Sequence, residues 1–140
     1  MIFLAQTDTT AGLLSKDLKA LNAIKNRPLN QPCLITTAKF SQLLNLTRVP
    51  KIFKNRVRKA TKTTFLYKNK RAIRVIKDER HEKFLAKFDW LYSTSANLHG
   101  KNFDEAWARG VADVVVDENF SQNGASKILK VSNRNIKRLR

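Results

Sequence analysis

Two apolar rhythms alternate along this chain, and neither runs for long. Residues 2–5 read as a short strand running into a Thr-rich turn. From Ser15 the pattern becomes helical: Leu14, Leu18, Leu21 and Ile24 recur at spacings of three or four. Ser15 is the expected N-cap, and Asp17 suits the positive end of that helix. Pro28 disfavours helical geometry at Arg27, so the helix must stop near Asn26. Residues 33–37 predict a second strand, and Phe40, Leu43 and Leu44 a short helix ending before Val49-Pro50. Residues 63–67 and 72–76, joined by Lys68-Asn69-Lys70, predict a hairpin. Phe84, Leu85 and Phe88 mark a helix, and residues 90–92 a strand leading into the turn Ser93-Thr94-Ser95-Ala96-Asn97. A helix over 103–109 and late strands at 111–116 and 128–131, on either side of the polar segment 118–126, complete the pattern. Strands and helices alternate yet a hairpin intervenes, so the expected fold is α/β, a mixed sheet with helices packed on it.

The same shortness excludes a membrane span. The longest apolar runs are a few residues, such as Val114-Val115-Val116, far below the ~20 that a spanning helix needs. Residues 1–5 have no basic segment before them and are too short for a signal peptide's apolar region. A cytoplasmic protein with no membrane partner is the expectation, folded as a single domain over residues 1–140. The one cysteine, Cys33, cannot form an internal disulfide, and with two histidines it makes a poor zinc set. Cys33 is read as a buried, inert thiol, and His81 and His99 as surface residues.

Charge narrows the partners. The formal net charge is +17, and 14 of the 28 Lys and Arg lie between Arg48 and Lys83 against three acids, Asp78, Glu79 and Glu82. Such a field attracts polyanions. Two readings of the block stay open: a face for a polyanion (RNA, DNA, nucleotides or an anionic membrane surface), or a solvated basic surface. Phe53, Phe65 and Tyr67 within it are read as core rather than as base-stacking platforms.

Four groups of residues could carry chemistry. Lys25 and Arg27 sit two apart at a helix end before a proline, where a fixed ammonium and a forked guanidinium suit phosphate oxygens. Ser95 and Asn97 follow a strand, where open α/β sheets tend to bind ligands, although turn-forming residues of this kind also serve as plain caps. Thr7, Asp8 and Thr9 follow another strand beside Gly12; their hydroxyls could orient a small polar substrate, or Asp8 could be an ordinary turn residue. Arg74 lies in the apolar run Ala72-Ile73-Arg74-Val75-Ile76 and needs an anionic partner or an open face.

In their order, Thr7-Asp8-Thr9-Thr10-Ala11-Gly12-Leu13, Ile24-Lys25-Asn26-Arg27-Pro28, Ala72-Ile73-Arg74-Val75, Ser93-Thr94-Ser95-Ala96-Asn97 followed by Gly100, and a final Ile136 to Leu139-Arg140 resemble the YrdC/TsaC family of threonylcarbamoyl-AMP synthases. The resemblance implies a YrdC-like twisted mixed sheet with flanking helices around a basic cavity. It implies a nucleotidyltransferase that joins L-threonine, bicarbonate and ATP into threonylcarbamoyl-AMP with release of pyrophosphate, for the threonylcarbamoyladenosine modification of tRNA. Mg²⁺ would accompany the ATP, with no side-chain metal ligand. By position, Lys25, Arg27, Ser95 and Asn97 match the family's catalytic signature around the nucleotide. Arg74 and Ser126 match further ATP and phosphate contacts, and Thr7 and Thr9 the threonine-binding segment. The basic block would then be a docking face for tRNA or double-stranded RNA, or for partner proteins of tRNA modification. The alternative is a catalytically weak member that binds nucleotide, double-stranded RNA or tRNA.

The chain departs from the family pattern in places. Gln6 stands where a proline is usual before the Thr-rich turn, and Arg58-Lys59-Ala60-Thr61-Lys62 replaces a usual Pro-Gly-Pro. The late loop Asn123-Gly124-Ala125-Ser126 lacks the common proline before its serine, and members usually carry a helix before the first strand.

Overall fold

The computed structural model describes residues 1–98, 100–117 and 119–140. Its tertiary contacts divide the chain into two compact units, Met1–Cys33 with Leu91–Gly124, and Leu34–Trp90 with Ala125–Arg140.

The first unit is a four-strand mixed sheet with two helices. Strand β1 (Phe3–Gln6) pairs antiparallel with β2 (Ala11–Ser15), and β2 pairs antiparallel with β6 (Leu91–Ser95). On its other side β1 pairs in parallel with β7 (Val114–Val115). Helices α1 (Leu18–Ile24) and α5 (Glu105–Val111) belong to this unit. Their apolar faces join a core built on Leu4, Leu13 and Leu21, each fully buried, with Trp107 and Val111 packed against it.

Strand β2 corrects the sequence reading. All five of its residues are buried, and a strand buried on both faces shows no alternation by which to recognise it. Leu14 therefore belongs to β2 and not to the helical stripe. Ser15 ends that strand, and Asp17 is the N-cap, its carboxylate accepting from the Ala20 amide at 3.1 Å. The segment Ser93-Thr94-Ser95, expected in a turn, continues β6. The strand expected over 111–116 shrinks to two residues, because α5 runs on through Val111.

The second unit is a five-strand mixed sheet. Strand β3 (Leu34–Thr37) pairs in parallel with β5 (Ala72–Val75), which forms the expected antiparallel hairpin with β4 (Thr63–Leu66). Strand β4 pairs in parallel with β8 (Lys127–Val131), and β8 pairs antiparallel with β9 (Ile136–Arg138). Helices α2 (Phe40–Leu46), α3 (Lys54–Lys59) and α4 (Glu79–Leu85) flank it, with a 3-10 turn at Lys51–Phe53. His81, expected at the surface, is instead buried on α4 at 1% exposure. It stacks on Phe84 across one helical turn, with ring centroids 6.1 Å apart. His99 lies outside the described residues. No helix among those residues is long and apolar enough to cross a membrane.

Candidate active site

In the first unit the pivotal element is the end of α1. Lys25 is the C-cap, and Asn26 adopts the left-handed conformation (φ 55°) that asparagine tolerates better than most residues. The Lys25 and Arg27 amides both return to the Asn22 carbonyl, at 3.2 and 3.0 Å. The buried Asn22 amide holds the outgoing loop through the carbonyls of Leu29 and Gln31, at 3.0 and 2.9 Å. The tight reversal brings both basic side chains to one place, the end of β6. The Lys25 ammonium donates to the Ser95 carbonyl at 2.7 Å, to Thr94 Oγ1 at 3.1 Å and to Ser95 Oγ at 3.4 Å. Arg27 donates to the same Thr94 hydroxyl at 3.3 Å and to Cys33 Sγ at 3.3 Å.

All three Lys25 acceptors are neutral oxygens. Among the described residues neither Lys25 nor Arg27 has a carboxylate partner, although Lys25 is only 3% exposed. Burial, and then repulsion from Arg27, lower the Lys25 pKa to about 8. A buried ammonium beside a guanidinium with no acid to balance them is costly alone and becomes favourable once an anion arrives. Cys33 is half-buried rather than fully buried, and burial pushes its thiol up despite the opposing Arg27 charge. It is a neutral acceptor for Arg27, not a nucleophile.

Thr7 and Thr9 lie in the turn between β1 and β2. The Thr7 hydroxyl closes that turn, donating to the Thr10 carbonyl at 2.6 Å and receiving the Thr10 amide at 3.2 Å. Across the sheet Gly12 is paired with Ser95. A Cβ on Gly12 would stand 2.7 Å from Thr7 Cγ2 and 3.4 Å from the Thr94 carbonyl. Gly12 thus lets the Thr7 turn and the end of β6 approach each other. Because Thr7 is held by its own hydrogen bonds, Gly12→Ala is expected to destabilise the protein by about 1–3 kcal/mol, read by urea unfolding. A loss below about 0.5 kcal/mol would mean the turn yields freely.

Gln6 explains one departure from the family pattern. Its backbone amide donates to Asp117 Oδ2 at 2.6 Å, a bond that proline could not make. Its side chain exchanges bonds with Ser121, at 3.0 and 2.9 Å, and the Asn123 amide donates to the Thr9 carbonyl at 2.6 Å. The polar segment after β7 is thereby tied to the threonine turn. Asn97, grouped with Ser95 by sequence, points its amide elsewhere, donating to the carbonyls of Leu98 and Lys101 at 3.0 and 2.7 Å. It braces the turn that follows β6.

Arg74 and Ser126 belong to the second unit and form a network of their own. Arg74, 6% exposed on β5, donates to Thr64 Oγ1 at 2.9 Å and to Ser126 Oγ at 2.8 Å. Arg140 grips the same serine through its carbonyl at 3.1 Å and its hydroxyl at 3.2 Å. In the sequence Arg140 is only the end of a motif, and nothing marks Thr94 or Thr64 as special. Their signal was weak: a threonine in a strand is ordinary until a cation is found against it. Among the described residues no three His, Cys, Asp or Glu side chains are grouped to hold a metal ion.

The Sua5/YciO/YrdC family model, described as telomere recombination, matches residues 2–140. The sequence has no significant match among curated proteins. Among solved structures, P. abyssi Sua5 complexed with L-threonine superposes with a TM-score of 0.80 at 20% identity, over 99% of this chain and 49% of that one. This chain thus spans about half the length of that protein. E. coli YciO gives a TM-score of 0.77 at 15% identity, over 99% and 82% of the two chains. Full-length HypF in the phosphate- and nucleotide-bound form gives 0.75 at 13% identity, over 99% and 26%. Likenesses at these identities establish the fold.

Proposed function

The chain belongs to the Sua5/YciO/YrdC family, and from that premise we propose that it is an L-threonylcarbamoyladenylate synthase acting in tRNA threonylcarbamoyladenosine modification in the cytoplasm. The observation that carries the reading is the uncompensated pair Lys25 and Arg27, held against Thr94 and Ser95. The threonine bound to P. abyssi Sua5 and the nucleotide and phosphate bound to HypF support a substrate set of this kind.

The amine of L-threonine takes up bicarbonate with loss of water, giving a carbamate. A carbamate oxygen then attacks the α-phosphorus of ATP. The new P–O bond forms as the bond to the bridging oxygen breaks, and pyrophosphate leaves with that electron pair. Two anions must be brought together, so catalysis rests on position and positive charge. Lys25 and Arg27 supply the charge at the phosphates, and the Ser95 hydroxyl, already 3.4 Å from the Lys25 ammonium, donates beside them. Thr7 and Thr9 orient threonine from the turn that Gly12 allows close to β6. Arg74 and Ser126 are assigned to further phosphate contacts. Mg²⁺ enters as part of the substrate MgATP, carried by phosphate oxygens and water. Incubation with ATP, Mg²⁺, threonine and ¹³C-bicarbonate should yield threonylcarbamoyl-AMP carrying the label in its carbamoyl carbon. Unlabelled product, or only ADP, would sink the assignment.

The Lys25 titration gives a pH signature. Below about 8 the ammonium is charged in the folded protein, and above it the charge is lost, well before the 10.5 of a free lysine. The kcat/KM for ATP should therefore fall as pH rises through about 8, an inflection that Lys25→Arg removes. Stability moves the other way. Between about 8 and 10.5 the unfolded chain keeps a proton the folded chain has released, so this group's contribution to stability rises with pH across that window. A pH profile of kcat/KM that is flat from 7 to 9 in the unsubstituted protein, on the scale of the expected shift, would contradict the role given to Lys25.

A second reading is favoured by one observation. The 3-10 turn and α3 carry Lys51, Lys54, Arg56, Arg58 and Lys59 with no acidic residue between them. A weakly catalytic protein using this face for double-stranded RNA or tRNA would bind with an affinity that falls steeply and linearly in log salt. Filter binding across a salt series, with and without Arg56→Ala/Lys59→Ala, separates this reading from the first.

A further inference from the structure

The second unit contains a cavity that the proposed reaction does not use. It has a volume of about 450 Å³, and its walls come from the end of α2, the 3-10 turn, the β4–β5 turn and the β8–β9 turn, a size within the usual range for small-ligand sites. None of the residues assigned above to ATP or threonine lines it.

Its chemistry is graded. Arg48, Lys51 and Lys68, all exposed, stand around it, and no Asp or Glu is part of its lining. Ile52, 69% exposed, and Val131 offer apolar wall, and Asn133 adds an amide. Thr47, Pro50 and Asn69 also line it, as does Tyr67, only 3% exposed, whose hydroxyl is buried and has no hydrogen-bond partner among the described residues. A buried hydroxyl without a partner is rare in folded proteins and calls for an acceptor. Burial also raises the phenol's pKa, which keeps its proton in place for donation.

Three cations without acids select an anion. An inorganic phosphate would leave most of the volume and the apolar wall unused. A fatty acid would leave the amide and the phenol donor unmatched. A heteroaromatic ring carrying a phosphate matches more of the lining: ring nitrogens or carbonyls for Tyr67 and Asn133, the ring faces for Ile52 and Val131, the phosphate for the cations. We propose that this cavity is a second nucleotide site, taking a free nucleoside monophosphate with its base toward Tyr67 and its phosphate among Arg48, Lys51 and Lys68. The site stands independently of the synthase reading, since it rests on other residues.

The probe is AMP, titrated calorimetrically into the full chain carrying Lys25→Ala and Arg27→Ala, so that phosphate binding at the other site is suppressed. One equivalent of AMP is expected to bind. Adding Lys51→Ala and Lys68→Ala, both exposed and safe for folding, should weaken it about tenfold or more. Tyr67→Phe removes only the hydroxyl and should weaken AMP several-fold while leaving inorganic phosphate unaffected. Absence of AMP binding in the Lys25/Arg27 double variant would overturn the proposal, as would inorganic phosphate binding as tightly as AMP. A hexa-adenylate strand whose binding depends on Lys51 and Lys68 while AMP does not bind would replace the nucleotide site with an RNA surface. AMP affinity unchanged by Tyr67→Phe would overturn the base-inward orientation.

Discussion

Lys25→Ala is expected to lower kcat/KM for threonine-dependent ATP turnover about a thousandfold while leaving the protein folded. The ammonium is the most buried cation of the first unit, at 3% exposure, and it reaches Thr94, the Ser95 carbonyl and the Ser95 hydroxyl together. Those contacts place it without neutralising it; on the proposed reading its charge serves a phosphate, and a preorganised donor of this kind is typically worth a hundred- to a thousandfold in rate, about 3–4 kcal/mol. Folding should suffer much less. The variant loses three hydrogen bonds, but it also relieves the burial of a charge and its repulsion from Arg27, the two causes that depress the lysine's pKa. Lys25→Arg should restore part of the activity and Lys25→Met none. Activity within tenfold of the unsubstituted protein in Lys25→Ala would remove the residue from the site.

The second large effect is expected at Arg74, and it combines stability with activity. Arg74→Ala withdraws donors from Thr64 and Ser126, removes one of the two arginines that grip the Ser126 hydroxyl, and opens a void in β5. Charged hydrogen bonds and a large-to-small change inside a sheet together predict a loss of about 3 kcal/mol, read by chemical denaturation. Under conditions where the variant stays folded, turnover should fall about a hundredfold. Arg74→Lys keeps the charge but cannot span two hydroxyls in a fork, so it should recover more stability than activity. A variant that loses stability but keeps full kcat/KM would make Arg74 a purely structural residue.

Lys25 and Leu14 mark the two limits of what was legible in the sequence. Lys25 and Arg27 were readable because Pro28 and the helical stripe before them fix where α1 ends, and a helix end dictates where its last side chains go. The hairpin of β4 and β5 was readable because two β-rich runs flank a polar turn. Leu14 misled, because a strand buried on both faces and the first residue of a helical stripe are the same thing in one dimension. Strand β9 escaped for the opposite reason: Lys137 and Arg138 are exposed, so the strand carries almost no apolar signal. The site was legible only as composition in order. Thr94 joined it, and the Asn97 amide turned out to brace a loop, because both facts depend on which way β6 carries its side chains beyond Leu91. The exposed face of the basic block was readable from charge, whereas the burial of His81 was not, since nothing local distinguishes a buried histidine on a charged helix from a surface one.

The most direct test of the central claim is pyrophosphate release by the purified chain with ATP and Mg²⁺, measured with and without threonine and bicarbonate. Release should require both co-substrates and disappear in Lys25→Ala. Release at the same rate without threonine, or none from a protein that binds ATP, would contradict that claim.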